Sequence, residues 1–219
     1  MIEIVKDVFG YALRPSGRYL FVIGAGLFLM MDLAVLAPLF GAIAIFLLAC
    51  YLAATYVELI QRSATRDLDA PAFADISNLM ADVISPAFQL ALVYLLAFGA
   101  YFWALYTESL PSIGVYALYV VGAFYFPMAM LAVVILGQLS AASPHIVLPS
   151  LWRGGKVYLC CVGMLVGLKL IEIQLSAVLD GIFILGSVIS SFVAMYALMT
   201  SARLLGVIYR ERSEELGWL

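Results

Sequence analysis

Long apolar runs separated by short polar segments make up this chain, and the polar segments are of two kinds. One kind carries base: the N-terminus (Lys6, Arg14, Arg18), residues 61–85 (Arg62, Arg66), residues 138–156 (Arg153, Lys156) and the C-terminus (Arg203, Arg210, Arg212). The other kind carries acid and no base, in turns around Asp32, Glu108 and Asp180. The run from Tyr19 to Ile60 is too long for one crossing, because as a helix it would reach ~63 Å, about twice the ~30 Å hydrocarbon core. Asp32, Pro38 and Gly41 mark its reversal. The same reading along the chain predicts six spans, near 18–36, 39–60, 87–106, 113–137, 157–175 and 180–206. The expected fold is therefore all-α, a single polytopic transmembrane bundle over 1–219. Basic loops stay cytoplasmic when loops are short, so both termini are expected in the cytoplasm of a bacterial inner membrane.

Amphipathic segments flank the spans. Ile2, Val5, Phe9 and Leu13 recur near helical spacing, with Glu3, Lys6, Asp7 and Gly10 elsewhere, which predicts an interfacial helix over 1–14. Those acids, and the lack of a small-residue cleavage site, read against a removable signal peptide. In residues 72–84, Phe73, Ile76, Leu79, Met80 and Val83 oppose Asp75, Asn78 and Asp82, which predicts a second interfacial helix. Tyr101, Phe102, Trp103 and Tyr106 form an aromatic belt at the end of the third span. Pro127 should kink the fourth span unless packing satisfies the freed carbonyl. Residues 207–219 read as a short charged tail closed by Trp218.

Composition agrees with lipid as the solvent. The chain is 66% hydrophobic and 11% charged, with a mean hydropathy of +1.11. Soluble domains are ~45–50% apolar and ~25% charged. The net charge of -3 says little, because its distribution between the two sides is what matters. No basic stripe with interleaved aromatics points to nucleic acid. Cys50, Cys160 and Cys161 lie in apolar runs and read as small hydrophobes, with no disulfide or metal spacing. No cofactor is implied.

Few residues offer chemistry. Lys169 and Glu172 stand at i,i+3 in the outer half of the fifth span, where they can pair. An ionisable residue within a span marks a functional site by default. The competing reading is that Lys169 snorkels outward while Glu172 caps the helix. Asp32, Glu108 and Asp180 are candidates for an outer acidic ring, or ordinary acidic turns. Glu58 and Arg62 have the spacing of a surface ion pair, and Gln89 and Gln138 sit near span ends. Gly163 and Gly167, with Ser187 and Ser191 at matching spacing, are candidate helix-packing faces, within the chain or toward another. Pro144, His145, Trp152 and Arg153 form an interfacial motif. His145 is the only histidine and lacks a second ligand or triad partner, so interfacial hydrogen bonding is its expected role.

Three segments also carry a resemblance. LLACYLAATYVELIQRSATRDLDAPAFADISNLMADV, FYFPMAMLAVVILGQLSAASPHIVLPSLWRGGKVYL and the terminal RLLGVIYRERSEELGW resemble a bacterial family of uncharacterised polytopic membrane proteins. That family is related to the membrane domain of glycerophosphodiester phosphodiesterases. Ser143 stands where an Asn before Pro144 is usual in it. The resemblance implies a multi-pass membrane fold. It implies no phosphodiesterase activity, since these residues carry nothing of the catalytic domain.

No HExxH, GxSxG or paired mid-span aspartate points to an intramembrane enzyme. The expectation is a non-catalytic subunit, or an assembly or scaffold factor, of a membrane complex. Its partners would be lipid and other membrane proteins, as a homo- or hetero-oligomer. The alternative is a small-solute or ion transporter or channel component.

Overall fold

Helices account for the chain's architecture, and each boundary has a local cause. The computed structural model describes residues 2–65, 78–179 and 183–218. A short helix, α1 (Ile2–Gly10), passes through a 3-10 turn at Tyr11–Leu13 into α2 (Pro15–Ala34), with Pro15 at the first helical position. The reversal into α3 (Pro38–Ala64) is as tight as Asp32, Pro38 and Gly41 predict. A side chain at Gly41 would lie 1.8 Å from the Ala34 carbonyl oxygen, so glycine is required there. After residues 66–77, a π-helical turn (Leu79–Ile84) runs straight into α4 (Ser85–Thr107), and the Asn78 side chain accepts from the Ala81 N–H at its start. Glu108, at φ 48°, ends α4, and Pro111 leads into α5 (Ser112–Leu136). Gly137, at φ 68°, ends α5 and donates to the Val133 carbonyl. The last two helices are α6 (Pro144–Leu179) and α7 (Phe183–Leu216).

Six of these, α2 to α7, are long and apolar enough to cross a bilayer. The protein is thus an all-α polytopic membrane bundle, and no strand occurs among the described residues. Neighbours pack in the closed order α2, α3, α4, α5, α6, α7 and back to α2, while α3 and α7 also press against each other. Glycines set the close approaches. A side chain at Gly206 in α7 would lie 2.3 Å from Ser63 Cβ in α3, and one at Gly24 in α2 would lie 2.4 Å from Met195 Sδ in α7. Met195, Met199, Ala202 and Leu205 of α7 are wholly buried, so α7 is the central element. Pro127 lies inside α5 in a buried stretch, and the Tyr158 hydroxyl of α6 donates to the Phe124 carbonyl just before it.

Four expectations change at this level. No free tail follows residue 206, because α7 continues to Leu216. Leu204, Val207, Ile208 and Leu216 are buried, Arg153 donates to the Leu216 carbonyl at 3.0 Å, and Trp218 donates to Ser150 Oγ at 2.9 Å. The fifth span is longer than 157–175: α6 breaks at Gly155 (φ 51°, ψ −139°) and then runs unbroken to Leu179. The interfacial helix over 72–84 lies mostly outside the described residues. Within its described part Val83 is buried, whereas Leu79 and Met80 are exposed. Finally, Asp7 of α1 is not a free polar residue but an ion-pair partner of the core.

Candidate functional site

Arg203 is the largest fully buried side chain of the described protein. Its Nη2 donates to Asp7 Oδ2 at 3.0 Å, its Nε donates to the same oxygen at 3.2 Å, and its Nη1 donates to Ser63 Oγ at 3.3 Å. The guanidinium also lies 4.8 Å from the centre of the Tyr11 ring. Arg14 holds the other carboxylate oxygen of Asp7 at 2.6 Å. Burial alone would raise the Asp7 carboxyl pKa. The Arg203 charge and the hydrogen bonds from Arg14 and Arg203 outweigh that and hold it below the ordinary carboxylate value. Tyr196 donates to the Phe9 carbonyl at 2.9 Å and fixes the same helix two residues on. The cluster thus fastens α1 to α3 and α7. Arg203 reads in sequence as one more loop base, yet it lies within an apolar helix seven residues before Arg210, and that setting is the signal for its burial.

Deeper in the bundle lies a cavity of about 400 Å³ to which all six spanning helices contribute. Phe28, Tyr56, Leu90 and Phe126 line it from α2 to α5, Lys169 and Glu172 from α6, and Ser201 from α7. The Tyr56 hydroxyl interacts with the Ser201 side chain. Lys169 Nζ donates to Glu172 Oε1 at 3.0 Å, the contact their spacing allows. The Lys169 side chain is 61% exposed, whereas that of Glu172 is 22% exposed. Glu172 also borders a second, apolar cavity of about 530 Å³ formed with Phe21, Phe192 and Tyr196.

The depth of the pair follows from the length of α6. Lys169 is ten residues from Leu179 and fourteen from Gly155, hence ~15 and ~21 Å along the axis. Glu172 is seven residues from Leu179 and seventeen from Gly155, so both side chains stand on the Leu179 side of the helix midpoint, the half expected for them.

The other candidates separate. A side chain at Gly163 or Gly167 would meet nothing within 4 Å, so this GxxxG packs on no described part of the chain. Ser191 is buried and donates to the Ser187 carbonyl at 2.8 Å, as an ordinary helical serine. Asp32 is exposed in the last helical turn of α2 and Glu108 in the turn after α4, and Asp180 lies outside the described residues. Pro144 opens α6, with His145 Nε2 at 3.4 Å from Ser143 Oγ, and Trp152 is 87% exposed. Glu58 and Arg62 pair at 2.9 Å, Gln61 donates to the Val134 carbonyl at 3.2 Å, and Ser140 donates to Gln138 at 3.3 Å. Among the described residues no group of three or more His, Cys, Asp or Glu could hold a metal ion. No family model, curated protein or solved structure matches this chain.

Proposed function

We propose that the protein is a non-catalytic subunit, or an assembly and scaffold factor, of a complex in a bacterial inner membrane, and that a transmembrane helix of its partner covers Lys169. The exposure of Lys169 within an apolar helix long enough to span a bilayer carries this reading. An ammonium facing hydrocarbon costs at least ~2.5–3.5 kcal/mol. Lysine has three N–H donors, and lipid tails offer none of them an acceptor. Glu172 takes one. A hydroxyl, carbonyl or carboxylate on a neighbouring helix would take another. Beyond residue 162, α6 leaves a side of this kind open, including Gly163 and Gly167. The basic segments would face the cytoplasm, with both termini.

The cavity favours a second reading, a small-solute or ion pathway. Tyr56, Ser201, Lys169 and Glu172 are the polar groups such a path would need, and water filling the cavity would solvate Lys169 in place of a partner. Purification in mild detergent, of the native protein and of Lys169→Met, separates the two. A stoichiometric partner that is lost from the variant supports the subunit. A protein that purifies alone, and whose proteoliposomes pass a solute less well after Glu172→Gln, supports the pathway.

A further inference from the structure

Where α6 and α7 emerge at the basic end, a groove of about 400 Å³ separates them. Its floor is apolar, formed by Met164, Leu204 and Ile208, and its rim is Glu211, Arg212 and Glu215. The depth of these residues matters. About 20 residues of α7 suffice to cross the hydrocarbon, so counting from Phe183 the core ends near residue 203. Leu204 is then at the hydrocarbon edge, and Glu211 and Arg212 are ~10–12 Å further along the axis, from where their side chains reach back to the headgroups, with Glu215 one turn beyond. On the facing helix, Met164 reaches back into the acyl region. The groove thus passes from hydrocarbon to water along one continuous wall.

We propose that this groove binds a phospholipid with a primary amine headgroup, of the phosphatidylethanolamine class. The rim holds one guanidinium and two carboxylates, and a zwitterionic headgroup presents the complement, one phosphate and one ammonium. Arg212 and Glu215 now satisfy each other, and Arg210 stands 3.6 Å from Glu211. The headgroup would enter this network by exchange, its phosphate on Arg212 and its three ammonium donors on Glu211 and Glu215. An anionic glycerol headgroup would bring a phosphate for Arg212 but no ammonium for Glu211 and Glu215. A choline headgroup has no N–H to donate. One acyl chain would lie along Met164, Leu204 and Ile208.

Native mass spectrometry of the full chain, released from bilayers of equal parts phosphatidylethanolamine, phosphatidylglycerol and phosphatidylcholine, tests this. The expected result is preferential retention of one phosphatidylethanolamine. Arg212→Ala, and Glu211→Gln with Glu215→Gln, should each lower that preference roughly tenfold, as for one lost charge-assisted hydrogen bond. Cys160→Trp, which fills the groove and leaves the rim charges in place, should lower retention likewise. Circular dichroism on each variant confirms folding, and Cys160→Trp answers the question alone should a rim variant unfold. Equal retention of the three lipids, preference for phosphatidylglycerol, or a preference unchanged in all variants would overturn the proposal.

Discussion

Arg203 and Asp7 lie 196 positions apart in the chain and meet through two hydrogen bonds, with the guanidinium wholly buried and the carboxylate partly so. Removing the carboxylate from a buried cation is among the costlier single changes a fold can suffer. Asp7→Asn should destabilise the protein by ~3–5 kcal/mol in detergent unfolding. Asp7→Asn combined with Arg203→Met should recover part of that. A single variant within ~1 kcal/mol of the parent would show that the pair contributes little.

The same pair should give an acid limb to stability. The Asp7 pKa is lowered in the folded protein, so its contribution is fully present above the ordinary aspartate value, ~3.9, and is lost as pH falls through the folded value below it. The difference in melting temperature between the parent and Asp7→Asn should therefore hold from neutral pH down to ~4 and shrink below that. A difference that stays constant into strong acid would remove Asp7 as its source.

Two glycines make a paired test of packing. Gly206→Ala would set its Cβ 2.3 Å from Ser63 Cβ and 2.7 Å from the Ile60 carbonyl oxygen, forcing α7 and α3 apart. A loss of ~1–3 kcal/mol is expected. Gly163→Ala meets nothing within 4 Å and should be neutral or stabilising in the isolated protein. Equal effects would contradict the packing described.

Lys169 and Glu172 should behave differently from Asp7 and Arg203. More than half of the Lys169 side chain is exposed, so Lys169→Met and Glu172→Gln should each change stability in detergent by under ~1 kcal/mol. Their effect belongs instead to partner retention or flux. Large destabilisation by both would make the pair a structural element of the isolated bundle.

Sidedness is open to impermeant thiol labelling. Ser63 is an unsuitable probe, being buried with its hydroxyl accepting from Arg203, but Thr65 and Ser109 are exposed at opposite ends of spans. In a background without native cysteines, Ser109→Cys should label from outside whole cells and Thr65→Cys only after permeabilisation. The reverse pattern would invert the topology.

The six spans, the tight turn at Gly41 and the Lys169–Glu172 contact are all legible from one dimension, because hydropathy, turn chemistry and helical spacing are local. What the chain conceals is long-range. The apolar run around Arg203 signals its burial, but nothing near it announces that Asp7 will reach it. Gly163 and Gly167 have the spacing of a packing motif, yet close approaches fall to Gly24, with Leu20 and Phe28 four positions away, and to Gly206, four after Ala202. The depth of Lys169 depends on where α6 ends, and the apolar pattern near Leu179 sets that boundary only loosely.

The join between Asp7 and Arg203 also gives the protein a clock. During synthesis Asp7 leaves the ribosome long before Arg203, so α1 must wait undocked while five spans are inserted. A chain lacking α7 has neither Arg203 to meet Asp7 nor Tyr196 to meet the Phe9 carbonyl, so its first helix is without both anchors. The contact that completes the bundle thereby distinguishes finished molecules from unfinished ones.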